Sequence, residues 1–168
     1  FKYKNIVLLA ASIIFYAWGE PVYVILMILS IGFNYMSGLV LGDLEDPHLR
    51  KRQLIFAVAV NLLLLGFFKY AGFLVSMINA ILPLKIEFRS LALPVGISFY
   101  TFQGISYVAD VYRGKIKAER SLISFGAYIC MFEQLIAGPI VTFSHVQDRL
   151  HNRNVNIFEA VDGFKIFV

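Results

Sequence analysis

Leu93-Pro94-Val95-Gly96-Ile97-Ser98-Phe99-Tyr100-Thr101-Phe102-Gln103, LPVGISFYTFQ, is apolar enough for a membrane. Yet it carries a proline, a glycine, two aliphatic hydroxyls, a tyrosine and a glutamine. Extended to Gly114 and wound as a helix at about 100° per residue, it places Gly96, Tyr100, Gln103, Tyr107 and Asp110 in one narrow arc. Phe102, Ile105, Ala109 and Tyr112 fall opposite. Polar groups at membrane depth face a bundle interior or a water-filled cavity. The polar arc therefore either lines a path through the protein or hydrogen-bonds neighbouring helices.

The rest of the chain has the same character. Of 168 residues, 59% are hydrophobic and 15% charged, against about 25% charged in a soluble domain. A chain this short has no interior large enough to hide that much apolar surface from water. The charges are also segregated. Asn5 to Gly42 holds only Glu20, Leu54 to Leu84 only Lys69, Leu91 to Ala109 none, and Ser121 to Gln147 only Glu133. A spanning helix needs about 20 mostly apolar residues, so each block can cross a bilayer. Several long runs are not a signal peptide. Phe1 is not an initiator methionine and Val168 lies inside an apolar run, so the expectation is a segment of a longer protein.

These blocks predict an all-α, polytopic membrane protein of about five to six helices. Gly19-Glu20-Pro21 signals a turn between helices over Asn5–Trp18 and Val22–Leu41, with Tyr16 and Trp18 suited to an interfacial belt. Asp43 to Arg52 reads as a polar loop. A helix is expected from Gln53 to Tyr70, where Lys69 can snorkel to headgroups. Ala71–Leu82 reads as a shorter in-plane or re-entrant helix. Further helices are expected over Pro94–Tyr112 and Ser121–Ala137, the latter stopped or kinked at Gly138-Pro139. Another begins at Phe158. With the first block crossing twice and each later one once, nine basic residues share one side: Lys2, Lys4, Arg50, Lys51, Arg52, Arg113, Lys115, Lys117 and Arg120. Lys85, Arg89, Arg149 and Arg153 lie on the other. The positive-inside rule makes the first side cytoplasmic.

Few residues invite chemistry. Asp110 and Arg113 are spaced for a local ion pair. Glu133, beside Gln134, must be protonated, paired or facing water. His48, His145 and His151 lie in polar loops without a second ligand at metal spacing or an adjacent nucleophile, so no metal or cofactor is expected. Cys130 reads as a small buried residue. The net charge of +4 has no basic stripe interleaved with aromatics, which excludes nucleic acid as a partner.

LPVGISFYTFQGISYVADVYRG (Leu93 to Gly114) and QLIAGPI (Gln134 to Ile140), with FFKYAGF (Phe67 to Phe73) and SIIFYAWGEP (Ser12 to Pro21), resemble the bacterial branch of the membrane-bound O-acyltransferases, of the alginate O-acetyltransferase integral-membrane type. The resemblance implies that residues 1–168 are an N-terminal transmembrane part of a single larger domain, roughly three times this length, whose helices ring a tunnel. It implies a multi-pass protein of the bacterial cytoplasmic membrane. Such an enzyme moves an acyl group from a cytoplasmic donor, acetyl-CoA or another thioester, towards hydroxyls of an extracytoplasmic polysaccharide, with a partner acetyltransferase finishing the transfer. Tyr100, Gln103, Tyr107, Asp110, Glu133 and Gln134 become candidate tunnel-lining residues. The family's essential histidine matches none of the three here, so this segment contributes no catalytic residue and is expected to be inactive alone. The family commonly has proline where this chain has Glu133. Two other readings of the residues stand beside this one: a transporter or channel segment, and a scaffold for a partner acyltransferase.

Overall fold

The computed structural model describes residues 2–81, 92–131 and 141–151, and among these every regular element is helical. The helices are α1 (Lys2–Gly19), α2 (Tyr23–Asp43), α3 (Pro47–Ile81), α4 (Ile97–Tyr112), α5 (Leu122–Cys130) and α6 (Phe143–His151). The principal packing pair is α2 with α4. α3 lies against both, and α1 packs mainly on α5.

The outward faces of the helices are apolar, and polar side chains are buried among apolar ones on the inward faces. On α2 the buried residues are Met27, Ser30, Ile31, Asn34, Ser37, Gly38 and Leu41, spaced three and four apart along one face. Ile25, Ile28, Leu29, Met36 and Val40 face outward and are exposed. Small and hydrogen-bonding residues at the contact with large aliphatics outside is the arrangement a hydrocarbon solvent favours, because apolar burial drives nothing there. α2 and α3 are both long and apolar enough to cross a membrane. The chain is read as a membrane protein on this pattern.

The α1–α2 boundary falls at the expected Gly19-Glu20-Pro21 turn. Trp18 at its edge is 90% exposed. Tyr16 is buried instead of lying in a surface belt, because its hydroxyl donates to the carbonyl of Val95, 2.8 Å away.

α3 departs from expectation at both ends. The polar stretch Asp43 to Arg52 is mostly helix. Asp46 Oδ1 accepts from the His48 amide at 2.8 Å, and Pro47 takes the first helical position, where its missing N–H costs nothing. No break separates Tyr70 from Ala71. With no proline between Pro47 and Pro83, the backbone continues through Lys69 and Gly72 as one 35-residue helix. At 1.5 Å per residue it is about 52 Å long, well beyond the roughly 30 Å hydrocarbon thickness.

α5 is shorter than the expected Ser121–Ala137. Ser121 caps it, its Oγ accepting from the Ser124 amide at 3.3 Å. It ends at Cys130, where Met131 leaves helical geometry (φ −53°, ψ 110°). Nine residues of helix are about 14 Å, too few to span. Cys130 is fully buried, as expected. The stretches around Gly138-Pro139 and Phe158 lie outside the described residues.

Candidate functional site

α4 is set by a turn. The Ile97 amide donates to the Pro94 carbonyl at 3.2 Å. Gly96 sits at φ 75°, a conformation that glycine adopts without steric cost. Pro94 therefore precedes the helix instead of occupying its first turn. The Tyr16 phenol holds this turn through Val95.

From there the predicted polar arc points inward. Tyr100 and Tyr107 are fully buried, Gln103 is 2% exposed and Asp110 7%. Phe102, opposite, is 42% exposed. The Tyr100 hydroxyl is buried and makes no hydrogen bond among the described residues. Tyr107 is held on several sides. Its hydroxyl accepts the Glu119 amide at 3.0 Å, and its ring lies 4.5 Å from Phe125 and 5.4 Å from Phe143, centroid to centroid. It also packs onto Gly38, where a Cβ would stand 2.7 Å from the phenol oxygen.

Asp110 does not pair with Arg113. Its carboxylate lies 3.7 Å from Lys115 Nζ. The C-terminus of α4 explains the choice. Gly114, at φ 70°, donates to Val111 O, and the Lys115 amide donates to Asp110 O. This is a Schellman ending, which carries the chain back over the last turn. It sends Arg113 outward, where it is exposed, and returns Lys115 to Asp110. Arg50 of α3 completes this end, its guanidinium donating to the carbonyls of Val111 and Tyr112 at 3.3 and 3.1 Å.

Glu133 and Gln134 lie outside the described residues. His48 is exposed. His145 is exposed, and its Nδ1 bonds the half-buried Thr142 hydroxyl at 2.7 Å. Among the described residues, no three His, Cys, Asp or Glu side chains are grouped to hold a metal.

Sequence reasoning missed a second polar centre beneath α4. Asn34 of α2 and Asn61 of α3 are buried and exchange amide hydrogen bonds of 3.1 and 2.9 Å. Gly104 of α4 lies directly over them, and a Cβ there would stand 2.6 Å from the Asn34 amide carbon. The signal was present, since each asparagine is an isolated amide within an apolar block. Glu119 was missed too. It is 5% exposed, and its Oε1 accepts the Ser121 amide at 2.8 Å.

Among the described residues, the fold and this interior define a helical membrane protein with a polar heart of phenols, amides and the carboxylates of Asp110 and Glu119. Comparison with known proteins places it more narrowly. "Probable alginate O-acetylase AlgI" of Pseudomonas aeruginosa is 38% identical over 172 residues, covering 99% of this chain and 33% of that protein. The protein of the same name from Pseudomonas syringae pv. tomato is 40% identical over 174 residues, with the same two coverages. "Peptidoglycan O-acetyltransferase" of Helicobacter pylori is 31% identical over 171 residues, 88% of this chain and 32% of that protein. The chain is thus similar along nearly its whole length to proteins named as probable alginate O-acetylases. It spans about a third of the length of the curated relatives it matches. No family model matches the chain, and no solved structure gives a significant match.

Proposed function

We propose that residues 1–168 form part of a membrane O-acetyltransferase that moves an acetyl group from a cytoplasmic donor towards hydroxyls of an extracytoplasmic polysaccharide. The observation that carries this reading is kinship along nearly the whole chain to proteins named for acetylating two different glycans. Acetyl-CoA or another thioester is the donor class, because a thiolate leaves readily when an acceptor oxygen attacks the carbonyl. The acceptor proton needs a general base. That group is read as belonging to another part of the enzyme. A partner acetyltransferase receives the acetyl group where the acceptor lies outside the membrane.

On this reading the protein is a multi-pass component of the bacterial cytoplasmic membrane, with the end carrying Arg50, Arg52, Lys115 and Arg120 on the cytoplasmic side. The inward face of α4 contributes to the wall of a tunnel, with Tyr100, Gln103, Tyr107 and Asp110 along it and Glu133 and Gln134 following in the chain. The burial of that face supports this placement, and the unspent Tyr100 hydroxyl is the group best suited to meet a passing acyl carbonyl.

The test is acetate released by mild base from the polysaccharide of cells carrying the intact gene. Tyr100→Phe is expected to lower polymer acetylation at least tenfold while membrane abundance stays normal. Unchanged acetylation in Tyr100→Phe, Gln103→Leu and Asp110→Asn, each normally abundant, would assign this face to packing alone.

A further inference from the structure

A groove of about 210 Å³ runs between α2 and α3 on the outer surface of the bundle. Its walls are Leu26, Leu29 and Phe33 of α2 and Val60 and Leu64 of α3. Ser30 and Asn61 form the polar part of the floor, but both are engaged within the protein. Asn61 donates to Asn34 and to the Ala57 carbonyl, and Ser30 Oγ accepts from Asn34 at 3.4 Å. The groove therefore presents hydrocarbon and little else. Its volume exceeds the roughly 150 Å³ that accepts a six-carbon apolar guest.

Two further features decide what fits it. The rim continues into exposed aliphatic surface: Ile25 is 62% exposed, Leu29 64% and Leu63 72%. The opening thus lies among outward-facing apolar side chains of α2 and α3. Above the groove, Arg52, Phe56 and Val60 recur every fourth residue and so share one face of α3. Phe56 flanks the near end, its ring edge-on to Phe33 with centroids 6.0 Å apart. Arg52 is exposed and lies two turns further, about 12 Å along the axis from Val60. A cation stands where the polar head would emerge when a chain occupies the slot.

The geometry points to a binding site for one anionic phospholipid of the bilayer, its acyl chain in the α2–α3 groove and its phosphate at Arg52. The site owes nothing to the acetyl-transfer reading, since it uses the outer faces of α2 and α3 and not the inward face of α4.

Residues 1–168 hold one tryptophan, Trp18; with it and every tryptophan elsewhere in the intact protein replaced by phenylalanine, Leu29→Trp is a single reporter, and Leu64→Trp on the opposite wall is an independent second. The full chain is reconstituted in vesicles containing phosphatidylglycerol or phosphatidylcholine with brominated chains. Basic residues near a membrane surface contribute about 1 kcal/mol each towards anionic lipid, a factor of about five. Half-maximal quenching is therefore expected at about fivefold lower mole fraction of brominated phosphatidylglycerol, and Arg52→Gln should erase the difference. Equal quenching by both lipids, a preference that survives Arg52→Gln, or no quenching at either reporter because protein covers the groove would each overturn the assignment.

Discussion

Asn34 and Asn61 face each other across α2 and α3 and exchange two amide hydrogen bonds. Each also donates to a carbonyl one turn earlier on its own helix, Ser30 and Ala57 respectively, at 2.9 and 2.8 Å. The pair fixes the register of the two helices that are long enough to cross a membrane. Where water cannot replace a lost partner, a polar pair specifies alignment in a way that interchangeable aliphatic contacts do not.

Removing one member should therefore cost more than half of removing both. Asn34→Leu and Asn61→Leu are each expected to destabilise by about 1–2 kcal/mol, since the remaining amide is left short of partners. The double variant should lose less than the sum of the two. Reversible unfolding in mixed detergent and lipid micelles measures this, and strictly additive losses would contradict the coupling.

Gly38 and Gly32 lie on the same helix and should respond in opposite ways to a methyl group. A Cβ at Gly38 meets the Tyr107 ring, whereas nothing lies within 4 Å of one at Gly32. Gly38→Ala should cost about 1–3 kcal/mol through overpacking. Gly32→Ala should be neutral or stabilise by up to about 1 kcal/mol through helix propensity. The same unfolding assay compares them, and equal effects would mean that the α2–α4 approach is looser than the contact implies.

The features legible in the sequence were those that depend on local periodicity. The inward face of α4 follows from angular spacing alone, which is why Tyr100, Gln103, Tyr107 and Asp110 are buried together. The α1–α2 turn follows from Gly19-Glu20-Pro21. Contacts created by chain reversal or by pairing between helices were not legible. Spacing along a helix suggests Asp110 with Arg113, but the positive φ at Gly114 brings Lys115 back instead. The start of α3 carries a cap signal in Asp46-Pro47, which the dense charge of the surrounding stretch masks. Lys69-Tyr70 resembles a helix end, yet Lys69 stays within α3 with its ammonium 5.6 Å from the centre of the Tyr70 ring. No pattern along either segment says that Asn34 and Asn61 meet.

Arg50 supplies the partner that the last carbonyls of α4 require. Its guanidinium meets Val111 and Tyr112, at the helix end where a cation is favoured. Arg50→Gln should weaken that ending by about 1 kcal/mol, raising amide exchange near residues 113–115 about fivefold and leaving the middle of α4 unchanged. Exchange that rises along the whole helix would instead mark Arg50 as a general packing residue.

Tyr107 ties the 113–121 loop to the bundle through one hydrogen bond from the Glu119 amide to its hydroxyl. Two more contacts hold the same loop: the Tyr35 hydroxyl donates to the Arg120 carbonyl at 2.7 Å, and Arg120 pairs with Asp43 at 2.8 Å. The latter pair is exposed on both sides and so contributes little. Tyr107→Phe keeps the ring against Gly38 and Phe125 but leaves the amide of the buried Glu119 without its acceptor, at a cost of about 1–3 kcal/mol. Exchange at the residue 119 amide should accelerate at least tenfold, while α4 itself stays protected. Asp43→Asn, which removes only the exposed pair, should leave that amide nearly unchanged. The reverse ranking would mean that surface charge, and not the buried phenol, holds the loop to α4.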